Sequence, residues 1–210
     1  MVARRGLEGP PLLTVRSLAT LEPWAAPLRA LGRWPTVEEI DRVVSKDAGV
    51  RFLRAAPKPR AGRTRPEPTA QYDERIVRDG IVPTREENLH DLMNALVWAA
   101  FPRSKRALHA RQLDLVTNAA DPGRRSAEHD TIAMLDEGGV LLTSAGSIVF
   151  GHALYQHLAE KRGAVYGLGV PISPESSAHD VGSADRALAG MLSESERFTS
   201  HRCFARVRVE

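Results

Sequence analysis

The spacing of apolar residues predicts one long helix near the middle of the chain. Within residues 83–102, apolar side chains recur every three or four positions and would form one helix face: Leu89, Leu92, Met93, Leu96, Val97 and Ala100. Thr84, with Glu87 three residues later, is typical of a capping box, so we expect the helix to run from about Thr84 to Phe101. Trp98 and Phe101 lie on the opposite side, where a solvated face would be polar. The helix is therefore expected to be buried on both sides.

Two polar residues of this helix, His90 and Asn94, lie one turn apart and point in the same direction. If they are buried, each needs a hydrogen-bond partner, because an unpaired buried polar group costs about 1–3 kcal/mol. They are either a structural pair that orients nearby loops, or part of a site in which His90 is a base or a metal ligand. The pattern leaves both interpretations open.

The rest of the pattern predicts more helices and a few short strands. Helices are expected from a second capping box at Thr36 to near Gly49, then at 103–116, 126–135, from Ser144 or Ser147 to about 162, and at 185–192. Strands are expected at 50–53, within 72–82, and at 140–143, 165–170 and 204–209, the last of them an edge strand. Residues 136–139 are expected to form a turn between the preceding helix and the strand at 140–143. The fold class is therefore α+β, a mostly helical domain around the buried central helix.

The length and composition predict a single domain over residues 1–210. The chain has 210 residues and 42% are hydrophobic, which is enough for one sizeable core. Residues 1–11 are rich in glycine and proline and should form a flexible N-terminus. Residues 55–70 combine four prolines with basic side chains, so we expect a linker or loop inside the domain.

The charge and cysteine content limit the partners and the compartment. The formal net charge is +3 and the pI is near 9.3, which permits contact with nucleic acid or an acidic partner without indicating either strongly. The single cysteine, Cys203, excludes a disulfide within the chain, as is usual in the cytoplasm. No apolar run approaches the ~18 residues of a membrane helix, and the N-terminus lacks the apolar segment of a signal peptide. We expect a cytoplasmic protein without a membrane partner.

The sequence contains none of the common catalytic motifs, such as a phosphate-binding loop, a His-Glu-x-x-His zinc motif or a Gly-x-Ser-x-Gly elbow. The polar residues that would suit a catalytic site, if the fold brings them together, are His90, Asn94, Asp136, Glu137 and His152. Two histidines and a carboxylate can form an open site for zinc or iron, so His90, Asp136 and His152 are candidate ligands of a divalent metal. The same residues would equally serve as a base with an orienting carboxylate.

A second candidate site is the start of the predicted helix 103–116. Arg103, Lys105 and Arg111 give this helix a basic side, and a free helix N-terminus can hold an anion. The alternative is an ordinary solvated helix face.

Several segments resemble a known bacterial family. These are residues 82–85, 88–98 and 101–105, followed by the shorter pieces 135–140 and 150–155. Together they resemble the uncharacterised family called domain of unknown function 3025, over roughly residues 72–169. The resemblance implies a single cytoplasmic bacterial domain. It brings no activity, cofactor or catalytic residue with it.

These observations leave three functional hypotheses and do not decide whether the protein is an enzyme. The first is a small enzyme, with or without a metal, and it requires His90 and His152 to lie within about 5 Å of each other or of a shared ligand. The alternative is a non-catalytic binding module that contacts nucleic acid or an acidic partner through an arginine-rich surface. The third is a structural or scaffolding protein in which His90 and Asn94 only stabilise the fold.

Overall fold

The computed structural model of the protein describes residues 16–56, 69–119, 125–144, 146–160, 163–173, 180–194, 197–200, 202 and 204–209. The expected flexible N-terminus, residues 1–11, lies outside the described residues, and so does Cys203. Of the expected linker, residues 55–70, the part 57–68 is also outside them. These expectations and the single-domain organisation stay predictions.

The described part of the chain is α+β and mostly helical, as the sequence predicts. The helices are α1 (Glu22–Arg29), α2 (Val37–Ala48), α3 (Thr69–Glu74), α4 (Leu89–Ala100), α5 (Pro102–Thr117), α6 (Ala127–Gly138), α7 (His152–Ala159) and α8 (Val181–Ser193). A 3-10 helix (Arg16–Leu21) precedes α1, and a π-helical segment (Arg75–Asp79) continues α3. The strands are β1 (Arg51–Arg54), β2 (Ile81–Thr84), β3 (Gly139–Thr143), β4 (Gly146–Val149), β5 (Val165–Pro171) and β6 (Ala205–Val209).

The strands form two small sheets. β1 and β2 are a parallel pair, and the second sheet has the order β4-β3-β5-β6. In the second sheet β3 and β5 are parallel, while β4 and β6 run antiparallel to their neighbours. β6 is an edge strand, as its alternation of apolar and arginine residues predicts. Within the part of the chain that the structure covers, no helix has the length and apolar character needed to cross a membrane.

Helix α4 is the buried central helix that the sequence predicts. Every residue from Leu92 to Ala100 is buried, including Trp98 at 0% exposure. α4 packs against α2 and α7. Since residues on both faces of the helix are buried, the expectation that α4 is covered on both sides is confirmed.

The beginning of α4 differs from the expected capping box. The helix starts at Leu89, and the Asn88 side chain accepts a hydrogen bond from the Asp91 amide at 3.0 Å. Thr84 lies in β2 instead, and its hydroxyl donates to the Val82 carbonyl. Because pairing with β1 holds residues 81–84 in an extended conformation, the expected helix from Thr84 is too long at its start. The capping box at Thr36 and Glu39, in contrast, is present at the start of α2.

Two other segments also correct the expectation. The expected strand within residues 72–82 is helical as far as Asp79, and only Ile81 onwards is extended. The helix expected from Ser144 or Ser147 begins at His152, because Gly146–Val149 pairs with β3 as an antiparallel hairpin. Local apolar spacing does not reveal such a pairing partner.

Helix α6 continues through residues 136–138, where the sequence predicts a break. Gly138 costs about 1 kcal/mol in a helix relative to alanine, and the buried side chain of Leu135 packs in the core beside it. The amide of Gly139 still donates to the Leu135 carbonyl. Asp136 and Glu137 therefore belong to the last helical turn of α6 and not to a loop after it.

Candidate metal centre

Three helix ends bring two histidines and a glutamate to one place. His90 is the second residue of α4, Glu137 lies in the last turn of α6, and His152 is the first residue of α7. The Nε2 atoms of His90 and His152 are 3.0 Å apart. The Glu137 carboxylate lies 3.8 Å from His90 Nε2 and 3.5 Å from His152 Nε2. Among the described residues, these three offer ligand atoms that all lie within 4.8 Å of one another.

A close approach between two chain segments places His152 beside Glu137. The amides of Phe150 and Gly151 both donate to the Gly139 carbonyl oxygen, each at 2.9 Å. A Cβ atom on Gly151 would lie 2.5 Å from the Glu137 carbonyl oxygen, which is closer than any side chain allows. The absence of a side chain on Gly151 therefore lets α7 start directly against the end of α6.

Gln156 fixes the orientation of the His90 ring. Its side-chain oxygen lies 3.3 Å from His90 Nδ1, while its amide nitrogen donates to Glu160 at 3.4 Å. Because an amide oxygen can only accept, the proton of neutral His90 lies on Nδ1 and the lone pair on Nε2. Burial, and after it the charge of His152, lowers the pKa of His90 and favours this neutral form.

Asp136 lies on the other nitrogen of His152 and is itself held by a buried lysine. Asp136 Oδ1 is 3.7 Å from His152 Nδ1 and forms an ion pair with Lys105, whose side chain is 0% exposed. Burial raises the pKa of Asp136, but the charge of Lys105, and that of His152 when this ring is protonated, outweigh it and hold this pKa well below its usual range. The ionised Asp136 carboxylate lies too far from His152 Nδ1 for a hydrogen bond. Its negative charge nevertheless favours the neutral tautomer with the proton on Nδ1 and the lone pair on Nε2, towards His90.

The two histidines and Glu137 open into a cleft of about 370 Å³. The exposed fraction of the side chain is 53% for Glu137 and 34% for His90, but only 4% for His152. Asp91 also lines the cleft and pairs with Arg85. The group is thus anchored in the core on one side and accessible to a ligand on the other.

The carboxylate of the observed group differs from the one expected. The sequence named His90, Asp136 and His152 as metal ligands, whereas Glu137 faces both Nε2 atoms and Asp136 faces the opposite nitrogen of His152. The reason is the extension of α6. Successive residues of a helix are rotated by about 100°, so the two carboxylates point to different sides of the same imidazole ring.

Asn94 lines the same cleft, but no hydrogen bond joins it to His90 or His152 in the described part of the chain. Its amide hydrogen-bonds the Tyr72 hydroxyl, and its side-chain oxygen is buried without a hydrogen-bond partner among the described residues. His90 and Asn94 thus have different partners, Gln156 for His90 and Tyr72 for Asn94.

Of the three residues expected to form a basic face on α5, Arg103 is exposed but Lys105 and Arg111 are not. Lys105 is fully buried, and Arg111 pairs with Glu128. At the start of the helix, the Asp185 carboxylate accepts the amide hydrogen of Arg103 at 3.1 Å. Internal carboxylates thus occupy the positions that an external anion would need. An arginine-rich binding surface elsewhere on the protein stays a prediction.

The sequence interpretation missed two features of this region. Gln156 follows His152 by one helical turn on α7, and this spacing is the signal that could have indicated it. On α5, Lys105, His109 and Gln112 recur at helical spacing and are all buried. The helical spacing of these three polar residues is the signal that could have indicated a buried polar stripe on α5.

Comparison with known proteins confirms the resemblance found in the sequence. Residues 61–148 match the sequence profile of a family described as "Protein of unknown function (DUF3025)". The matched residues include His90, Asp136 and Glu137, whereas His152 lies beyond their end. No curated protein sequence matches the chain.

One similar solved structure is a crystal structure of a single-residue variant of C. violaceum phenylalanine hydroxylase. The sequence identity is 15% and the TM-score is 0.44. The match covers 73% of this chain and 52% of the other, so the chain spans about half the length of that protein.

Proposed function

We propose that this protein is a small metal-dependent enzyme in which His90, Glu137 and His152 bind one divalent transition-metal ion. The observation that carries the proposal is the convergence of their three ligand atoms within 4.8 Å. Metal bonds of about 2.0–2.2 Å at tetrahedral or octahedral angles separate neighbouring ligand atoms by about 2.8–3.6 Å. The distances of 3.0, 3.5 and 3.8 Å fit this requirement after small side-chain movements.

The tautomers of the two histidines support a cation between them. Gln156 and Asp136 favour protons on the Nδ1 atoms, so both Nε2 lone pairs point to one place and face the Glu137 carboxylate. Three electron-rich groups at such short distances repel each other unless a proton or a metal ion lies between them. A divalent ion satisfies all three at once.

The ligand set would leave coordination positions free on the side of the cleft. Two imidazoles and one carboxylate suit zinc or iron(II), and a three-ligand site keeps open positions for water and substrate. Such an ion lowers the pKa of a bound water and polarises a substrate oxygen. Asp136 would act as a positioning residue, because it orients His152 without touching the ion.

The test is the metal content of untagged protein, purified without chelators and measured by inductively coupled plasma mass spectrometry. Wild type is expected to carry, or to take up from zinc(II) or iron(II), close to one ion per chain. His152→Ala and Glu137→Gln should lose this ion while they stay folded, as judged by circular dichroism. His157→Ala, on the same helix α7 but outside the ligand group, is the matched control and should keep the ion. A wild-type protein that binds no ion even after titration would contradict the proposal.

A further inference from the structure

A second buried polar cluster, formed by Asp73, His109 and His129, lies beside the candidate metal centre. Asp73 Oδ1 and His109 Nδ1 are 2.8 Å apart, and the relative exposures of Asp73, His109 and His129 are 1%, 3% and 2%. The three side chains come from α3, α5 and α6. The cluster is distinct from the His90, Glu137 and His152 group because it shares no residue with it.

Several polar atoms of this cluster are buried without a hydrogen-bond partner among the described residues. They are Asp73 Oδ2, His109 Nε2 and both ring nitrogens of His129. Buried polar atoms in folded proteins are nearly always paired, so four unpaired atoms in one cluster need an explanation. Either ordered water or a ligand would supply the missing partners.

The hydrogen-bonding roles of His109 follow from its contacts. The Asp73 carboxylate accepts the proton on Nδ1, so the neutral ring presents a lone pair at Nε2. Burial lowers the pKa of His109, although the hydrogen bond to Asp73 opposes this, and the ring is neutral near pH 7. The ring also stacks on Trp98, with centroids 5.5 Å apart and planes 1° from parallel, which fixes the direction of Nε2. His109 is therefore an oriented hydrogen-bond acceptor.

The cluster lines a cleft next to the candidate metal centre. Asp73, His109, Gln112 and His129 are among the described residues that line this cleft, which has a volume of about 660 Å³. Its wall also includes Tyr72, Asp136 and Glu137, and the same three residues line the cleft of the metal centre. A ligand in the second cleft would therefore reach the wall that carries the metal ligand Glu137.

We propose that Asp73, His109 and His129 form a subsite for a neutral ligand group that carries both a hydrogen-bond donor and an acceptor, such as a cis amide of the lactam type. His109 Nε2 accepts from the donor of the ligand, and the neutral His129 ring offers one N–H to its acceptor. As the substrate-binding part of the same active site, the subsite rests on the proposed function. Its binding step, however, does not need the metal ion.

The test is a nuclear magnetic resonance titration of the metal-free full-length chain, labelled with ¹⁵N in its histidine rings. The probes are 2-pyrrolidinone, which has an amide donor, and N-methyl-2-pyrrolidinone, which lacks only that donor. We expect 2-pyrrolidinone to shift the His109 Nε2 resonance saturably in the millimolar range. The N-methyl analogue should bind at least about tenfold more weakly.

Substitution provides a second readout. His109→Gln should weaken 2-pyrrolidinone binding by about tenfold, followed through backbone amide resonances, whereas His157→Ala should leave it unchanged. If His109→Gln fails to fold, the comparison of the two lactams on wild-type protein is sufficient to test the subsite. Equal binding of both lactams, or no shift at His109 and His129 with either, would overturn the subsite and would indicate ordered water only. Metal content is measured separately, so failure of the metal site and failure of the subsite are distinguishable.

Discussion

The Nε2 atoms of His90 and His152 lie 3.0 Å apart, although 62 residues separate them in the chain. Each ring has a side-chain oxygen near its other nitrogen, Gln156 for His90 and Asp136 for His152. The fold thus orients two lone pairs towards one point next to Glu137. The predictions below test how that arrangement is held and what it binds.

Replacing Asp136 should weaken metal binding without abolishing it. Asp136→Asn removes the carboxylate next to His152 Nδ1, and loss of such an outer partner typically costs 10–100-fold, or about 1.4–2.7 kcal/mol, in metal affinity. Competition with a chromophoric zinc chelator measures the change. Asp130→Asn, an exposed position on the same helix, is the control and should bind zinc as wild type does. Unchanged affinity in Asp136→Asn would show that the contact does not support the ligand.

Replacing Lys105 should destabilise the fold. Lys105→Met leaves the Asp136 carboxylate, 14% exposed, without its buried cation, and breaking a buried ion pair from one side costs about 3–5 kcal/mol. Urea denaturation of the metal-free protein gives this free energy of unfolding. The double variant Lys105→Met with Asp136→Asn should recover a large part of the loss, because no buried charge is then unpaired. A loss below about 0.5 kcal/mol in the single variant would be typical of a surface pair and would count against this account.

Adding one methyl group at Gly151 should disturb the ligand group. The new Cβ would start 2.5 Å from the Glu137 carbonyl oxygen, so the beginning of α7 must move away from α6 and carry His152 with it. Gly151→Ala is therefore expected to lower both zinc affinity and the free energy of unfolding. Gly190→Ala in α8 is the matched control, since a Cβ there meets nothing within 4 Å. The control should gain up to about 1 kcal/mol from helix propensity. Full zinc affinity in Gly151→Ala would refute the positional role of this contact.

The metal-free protein should lose stability as the pH falls below about 6.5, the ordinary pKa of histidine. Burial lowers the pKa values of His90, His109 and His129 in the folded state, so the unfolded chain binds more protons in this range. A group with a depressed folded pKa gives stability that is present above the unfolded pKa and is lost as the pH falls towards the folded value. Asp136, whose pKa is also lowered, loses its contribution only below its ordinary value of 3.8.

Urea denaturation at a series of pH values between 5 and 8 measures this dependence. His109→Gln should have a shallower dependence than wild type, because one of the three histidines with a lowered pKa no longer titrates. The interpretation fails if stability is flat or increases as the pH falls from 6.5 to 5, or if the variant and wild type have the same slope.

The sequence predicts the parts of the fold that depend on local spacing. The buried helix α4, the capped helix α2 and the edge strand β6 follow from apolar periodicity and capping residues, which act within a few positions. The predicted start of α4 at Thr84 and the helix predicted in place of β4 were wrong. In both places, pairing with another strand overrides the local helix signals.

The candidate site was predictable in its residue types but not in its geometry. His90 was indicated by its place on a buried stripe, and His152 by its chemistry alone. The sequence could not show which of Asp136 and Glu137 faces the two histidines, because their orientation depends on whether α6 continues past Leu135 towards the two glycines. The cluster around His109 was missed because its partners, Asp73 and His129, lie on other helices.

The most direct test of the central claim is a crystal structure of the protein soaked with zinc, with diffraction data measured on both sides of the zinc absorption edge. We predict one strong anomalous peak within about 2.0–2.3 Å of His90 Nε2, His152 Nε2 and a Glu137 oxygen. Asp136 should remain next to His152 Nδ1. The absence of a peak there, with the two rings still in direct contact at full zinc occupancy elsewhere, would contradict the metal centre.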